Sequence, residues 1–107
     1  MGYDLHITRA EMWTETEGNE IPVEEWLTYV EGDTELVPDP PNGAYSVIWK
    51  DENGGSASWF DWYDGNIYTT NPDRVALGKM LTIAEALKAR VQGDNGEIYS
   101  SVEDLKQ

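Results

Sequence analysis

Ser58 to Tyr63 and Asn66 to Thr70 are two runs of strand-forming residues separated only by Asp64-Gly65, and that dipeptide constrains the fold more than any other feature of the chain. A two-residue Asp-Gly connection favours a type I′ turn, because both central positions need positive φ and the turn's twist then matches that of the flanking strands. The hairpin register that follows sets Trp62 opposite Ile67 and Phe60 opposite Thr69 on one face. Trp59, Asp61 with Tyr68, and Tyr63 share the other. The first face reads as core and the second as surface.

The remaining elements can be read around this hairpin. Tyr3, Leu5 and Ile7 alternate with Asp4, His6 and Thr8, a period of two that predicts a half-buried strand over 3 to 8. Pro22 suits a first helical turn, and Val23, Trp26, Leu27 and Val30 recur at spacings of three and four, predicting a short amphipathic helix near 22 to 31. Pro38, Pro40 and Pro41 argue against regular structure in the next stretch, and Tyr45 to Trp49 predict a second strand within 44 to 50. Asn71-Pro72-Asp73 has the chemistry of a helix start, with Asn71 as cap. The helix is expected over 72 to 90, with Leu77, Met80, Leu81, Ala84 and Leu87 buried and Lys88 and Arg90 in its last turn. Val91-Gln92 and Ile98-Tyr99 suit short strands about a turn at Asp94-Asn95-Gly96. Ser101 can cap a final helical turn with Asp104 three residues on. The expectation is one α+β domain over 1 to 107, an antiparallel sheet with two helices on one face.

Composition bears on function by exclusion. Seven Lys and Arg against twenty-one Asp and Glu give a formal charge of −14, which opposes direct binding to a phosphate backbone. Residues 10 to 49 hold ten acids and no Lys or Arg, so the negative field is concentrated in the first half. Such a one-signed region steers association with a basic partner. The absence of cysteine removes thiolate nucleophiles and thiolate metal sites and suits a reducing cytoplasm. No run is apolar enough for a membrane span.

His6 is the single histidine. It shares a strand face with Asp4 and Thr8, so a hydrolase or isomerase using His6 with a carboxylate is one reading. An exposed or structural histidine is the commoner outcome, and no catalytic residue is assigned. Asp51-Glu52-Asn53-Gly54 and Asp94-Asn95-Gly96-Glu97 have the look of calcium loops without continuing into the alternating ligand pattern. Gly54-Gly55 lacks the lysine of a phosphate loop. No metal and no cofactor is expected. Trp59, Asp61, Tyr63 and Tyr68 combine aromatics with an acid, the composition of a patch for Lys- or Arg-rich surface, unless the Pro-rich loop covers them. With Asp33 and Glu35 from the acidic first half, they are the candidate partner-binding residues.

Met1-Gly2-Tyr3-Asp4-Leu5-His6-Ile7-Thr8-Arg9 with Trp13, and Ala89-Arg90-Val91-Gln92-Gly93-Asp94-Asn95-Gly96-Glu97, resemble a group of small, acidic, largely uncharacterised bacterial proteins. The likeness extends to Ile21-Pro22, Trp26-Leu27 and Asn71-Pro72, and fails over 33 to 58. In that group the late motif usually reads Gln-Gly-Asp-Asp-Gly-Glu, so Asn95 removes one carboxylate from any acid-pair or metal reading of it. Proteins of this type are similar to the immunity proteins of bacterial toxin systems. The resemblance implies a cytoplasmic, non-enzymatic inhibitor that blocks a basic toxin domain such as a nuclease. A small-molecule binding module and a nucleic-acid mimic are the other binding readings.

Overall fold

The computed structural model describes residues 4–50 and 58–105; Tyr3 and the Asp51 to Ser56 cluster lie outside them. Seven strands form one antiparallel sheet: β1 Asp4–Thr8, β2 Leu36–Pro38, β3 Val47–Trp49, β4 Ser58–Tyr63, β5 Asn66–Thr70, β6 Arg90–Gly93 and β7 Ile98–Tyr99. Their spatial order is β2-β3-β4-β5-β1-β6-β7. The first strand therefore lies inside the sheet, hydrogen-bonded to β5 on one side and β6 on the other. Two helices, α1 Val23–Gly32 and α2 Arg74–Ala86, complete a single-domain α+β fold.

The Asp64-Gly65 turn forms as its chemistry requires, with φ of 51° and 86°. Asp61 pairs with Tyr68 and Trp62 with Ile67. Glycine at 65 is needed twice over, since a Cβ there would lie 2.8 Å from the Glu20 side chain. That close approach lets Ile21 N–H donate to the Gly65 carbonyl at 2.9 Å, tying the loop before α1 to the hairpin.

Alternation along the strands sorts the residues into two layers. Leu5, Ile7, Val47, Trp49, Phe60, Ile67 and Val91 join Trp26 and Val30 of α1 and Leu77, Met80, Ile83 and Ala84 of α2 in one buried cluster. Both helices thus supply side chains to the core on one side of the sheet. Burial of this apolar surface is the main stabilising term, at about 25 cal/mol per Å².

Several boundaries differ from the sequence expectation. Residues 36–38 form an edge strand despite Pro38, which is tolerated because an edge has one unpaired side. Pro40 to Asn42 form a single 3₁₀ turn, and the strand expected over 44 to 50 shortens to 47–49. Helix α2 begins after Asp73, whose carboxylate accepts from Ala76 N–H at 2.8 Å, while Asn71 sits earlier at φ 52°. It ends at Ala86 rather than Arg90, because Lys88 takes φ 56° and the Lys88 and Ala89 amides fold back to the carbonyls of Glu85 and Ala84. This is a Schellman closure without its usual glycine, and the missing glycine hides the stop. Arg90 is released into β6. The final turn forms as read: Ser101 and Asp104 make a reciprocal capping box.

Candidate functional site

Asp4, His6, Asp61, Tyr63, Asn66, Tyr68 and Gln92 fall on the alternate strand positions, facing away from both helices. Half of this face is crossed by the segment after β1. Gln92 anchors it, its amide donating to the Glu11 carbonyl at 2.7 Å and its oxygen accepting from Trp13 N–H at 2.9 Å. Asn66 donates to the Trp13 carbonyl at 2.8 Å. Trp13 is thereby laid flat on His6, with ring centroids 3.6 Å apart and planes 6° from parallel.

The other half of the face is open. Trp59 meets Tyr68 edge-on at 5.5 Å between centroids, Trp59 remains 38% exposed and Tyr63 72%. A groove of about 410 Å³ runs over Trp59, Asp61, Tyr68 and Ile48, walled by Asp39, Asn42 and Ser46 from the Pro-rich segment. The Pro-rich segment thus flanks the aromatic patch and leaves it open. A second depression of about 310 Å³ adjoins it across Tyr68 and is lined by Asp4, His6, Trp13, Tyr63, Asp64 and Asn66 among others. Among the described residues, neither has a lysine or arginine in its lining.

Electrostatics set this face apart. Burial pushes the Asp61 carboxyl above its ordinary value, only partly opposed by the hydrogen bond from Trp62 N–H at 2.8 Å. No cation pairs with Asp61 among the described residues. Burial, with the Asp61 and Asp4 charges adding to it, also raises the Tyr68 phenol, so the phenol stays neutral and can donate a hydrogen bond.

The candidate partner-binding residues separate into two groups. Trp59, Asp61, Tyr63 and Tyr68 come together on the open face. Asp33 and Glu35 lie elsewhere, holding Lys79 Nζ at 2.8 and 2.7 Å. Tyr29 hydroxyl donates to Asp33 at 2.8 Å, Trp49 indole N–H to Glu35 at 3.0 Å, and the ammonium sits 5.8 Å from the Trp49 ring centroid. These two charges are paired within the protein, Asp33 largely buried and Glu35 partly open to solvent. The signal was in the sequence: position 79 lies three after buried Ala76 and four before buried Ile83, so spacing puts a lysine on the apolar stripe of α2.

His6 is 4% exposed. Its Nε2 meets Asp94 Oδ1 at 3.0 Å, and Asp94 Oδ2 accepts from Asp4 N–H at 3.1 Å. The partner of His6 thus comes from the turn after β6, eighty-eight residues away, while Thr8 turns its hydroxyl to Ala10 N–H. Asp4, His6 and Asp94 each offer a ligand atom within 4.8 Å of the others. An imidazole held by a carboxylate in this way can move a proton or, with a second carboxylate beside it, chelate a cation.

No protein family, no curated protein and no solved structure matches the chain. Function is therefore argued from this face. Among the described residues no helix is long and apolar enough to cross a membrane.

Proposed function

We propose that this protein is a non-enzymatic, immunity-type inhibitor that acts in the bacterial cytoplasm by binding and occluding a basic toxin domain, such as a nuclease. The observation that carries the reading is the groove over Trp59, Asp61 and Tyr68, acidic and aromatic in its lining with no Lys or Arg among the described residues. A guanidinium or ammonium entering it meets the Asp61 and Asp39 carboxylates together with aromatic rings. The sequence resemblance at both ends of the chain supports the same class of function. Asp33 and Glu35, engaged with Lys79, contribute to the long-range field, and the docking contact is assigned to Trp59, Asp61, Tyr63 and Tyr68. Charge sets the rate of encounter and a desolvated aromatic anchor sets the rate of release.

The test uses wild type, Tyr68→Ala and Asp61→Arg side by side as bait in a low-salt extract of the native cell. The expected result is a basic protein that wild type retains, that salt elutes and that both variants lose, and whose activity purified wild type blocks. Retention indifferent to ionic strength, or equal retention by the variants, refutes the reading.

A further inference from the structure

We propose that Asp4, His6 and Asp94 form a binding site for one divalent transition-metal ion of the zinc class. The inference stands apart from the docking reading. It rests on a different cluster, and its test involves no partner.

The donor set is the first argument. One imidazole nitrogen and two carboxylates lie within 4.8 Å of one another, a separation that a single central ion at about 2.0–2.2 Å from each donor can span with small side-chain adjustments. A nitrogen donor favours zinc, copper, iron or nickel over magnesium and calcium, which prefer all-oxygen shells. Three protein donors leave a coordination position for water, and the site borders the depression lined by Tyr63, Tyr68 and Asn66.

The second argument is the scaffolding behind each donor. Trp13 stacks on the imidazole and fixes its plane. Thr70 hydroxyl donates to Asp4 Oδ1 at 2.8 Å, orienting that carboxylate from β5. Asp94 sits in a tight turn, where Trp13 Nε1 donates to its carbonyl at 3.1 Å and Glu97 accepts from Asn95 N–H at 3.0 Å. The Glu97 carboxylate lies against Gly93, where a Cβ would come within 2.5 Å of it and displace this side chain. Oriented ligands with their own hydrogen-bond partners are the usual support of a metal site. For coordination Nε2 gives up the proton it shares with Asp94 Oδ1 and presents its lone pair to the ion, the neutral ring then carrying its proton on Nδ1.

The third observation is independent of the cluster and points to a missing ligand. Asn66, 6% exposed, lines the same depression as Asp4 and His6. Its amide nitrogen is committed to Trp13, which fixes the orientation of the group, and its Oδ1 is buried with no hydrogen-bond partner. A buried acceptor without a donor costs about 1–3 kcal/mol. A cation bound beside this depression offsets the two carboxylates, which have no lysine or arginine within salt-bridge distance among the described residues.

The experiment is a titration of the untagged full chain with zinc chloride, read by calorimetry and by the imidazole nitrogen resonances. His6 is the single histidine, so those resonances report on one ring. The expected result is one equivalent bound, a large shift of Nε2, and no competition from excess magnesium. Asp4→Asn and Asp94→Asn should each weaken binding by at least about tenfold, the scale on which even outer-shell partners matter. Zinc bound with the His6 resonances unmoved, equal affinity in both variants, or equal competition by magnesium would show an acidic surface and overturn the proposal, as would no binding at millimolar zinc. Should either variant fail to fold, the wild-type resonances and the magnesium competition decide alone.

Discussion

The two faces of the sheet are made by the same strands and differ in how they treat charge. On the helix side the buried Lys79 is matched by Asp33 and Glu35, and the remainder is closely packed apolar surface around Trp26, Phe60 and Ile67. On the other side, Asp61 is half-buried beside Trp59 and Tyr68 with an amide as its partner and no cation among the described residues. A face that satisfies its own charges is built for stability. A face that leaves a carboxylate partly desolvated and unpaired bears a cost in the free protein that a cationic ligand removes. Substitutions on the first face should therefore lower stability and spare recognition, and those on the second should do the reverse.

Trp26→Ala should have the largest effect. The side chain is fully buried and its indole N–H donates to the Tyr45 carbonyl at 3.0 Å, so truncation opens a large cavity and orphans an acceptor. A loss of about 3–5 kcal/mol is expected from urea unfolding. A loss under about 1 kcal/mol, the range of surface substitutions, would break the assignment of this face as the core.

Lys79→Met tests the charged part of the same face through pH. The Lys79 ammonium holds Glu35 below the usual carboxylate range, helped by the Trp49 indole. Burial pushes Asp33 up, but Lys79, Tyr29 and the Glu35 amide outweigh it and hold this group low as well. Lys79 in turn is lowered by burial and raised further by its two carboxylates. Depressed acids stabilise the fold above their unfolded values, about 3.9 and 4.3, and this contribution disappears as pH falls through the lowered folded values. The raised lysine stabilises below about 10.4 and is lost as pH rises through its folded value. Lys79→Met should lower the neutral plateau and flatten both limbs of the stability–pH curve. An unchanged acid limb would show that other carboxylates govern it.

Tyr68→Ala moves to the open face. As an interfacial anchor it should cost about 2 kcal/mol of partner affinity, roughly thirtyfold, chiefly through faster dissociation. Its contribution to the fold is smaller, since the edge-on contact with Trp59 at 5.5 Å is worth about 1 kcal/mol. A variant that loses more stability than affinity would make Tyr68 structural and erase the contrast between the faces.

The sequence showed the two faces more clearly than it showed their borders. The Asp64-Gly65 turn and the alternation about Leu5 and Ile7 are local, so they placed β1, β4 and β5 and put Trp59, Asp61, Tyr63 and Tyr68 together. Lys88 in a left-handed conformation and Pro38 on an edge strand depend on tertiary packing, which overrides local preference. The site around His6 was half legible. Its strand face was evident, but Asp94 reaches it across the sheet and Trp13 is laid over it by Gln92 and Asn66, long-range contacts that no local periodicity contains. The pairing of Asp33 and Glu35 with Lys79 was missed for a simpler reason. A run of acids reads as solvated surface until the lysine on the α2 stripe is counted as buried.

Asp61→Asn is the smallest effect and the sharpest separation of the two faces. Burial raises the Asp61 pKa, so the fold prefers its neutral form. A raised value contributes stability that is present below the unfolded value, about 3.9, and is lost as pH rises through the folded value. At neutral pH the charge is therefore a small liability to folding, and the isosteric amide removes it. Because the group is partly solvated, the gain should be under about 0.5 kcal/mol after screening. Stability should rise slightly or stay level, while association with the basic partner slows and its salt dependence flattens. The two readings move in opposite directions only if the carboxylate is kept for recognition. A clear loss of stability in Asp61→Asn would mean instead that Asp61 holds the Pro-rich segment in place, and the groove beside it would then be a by-product of packing.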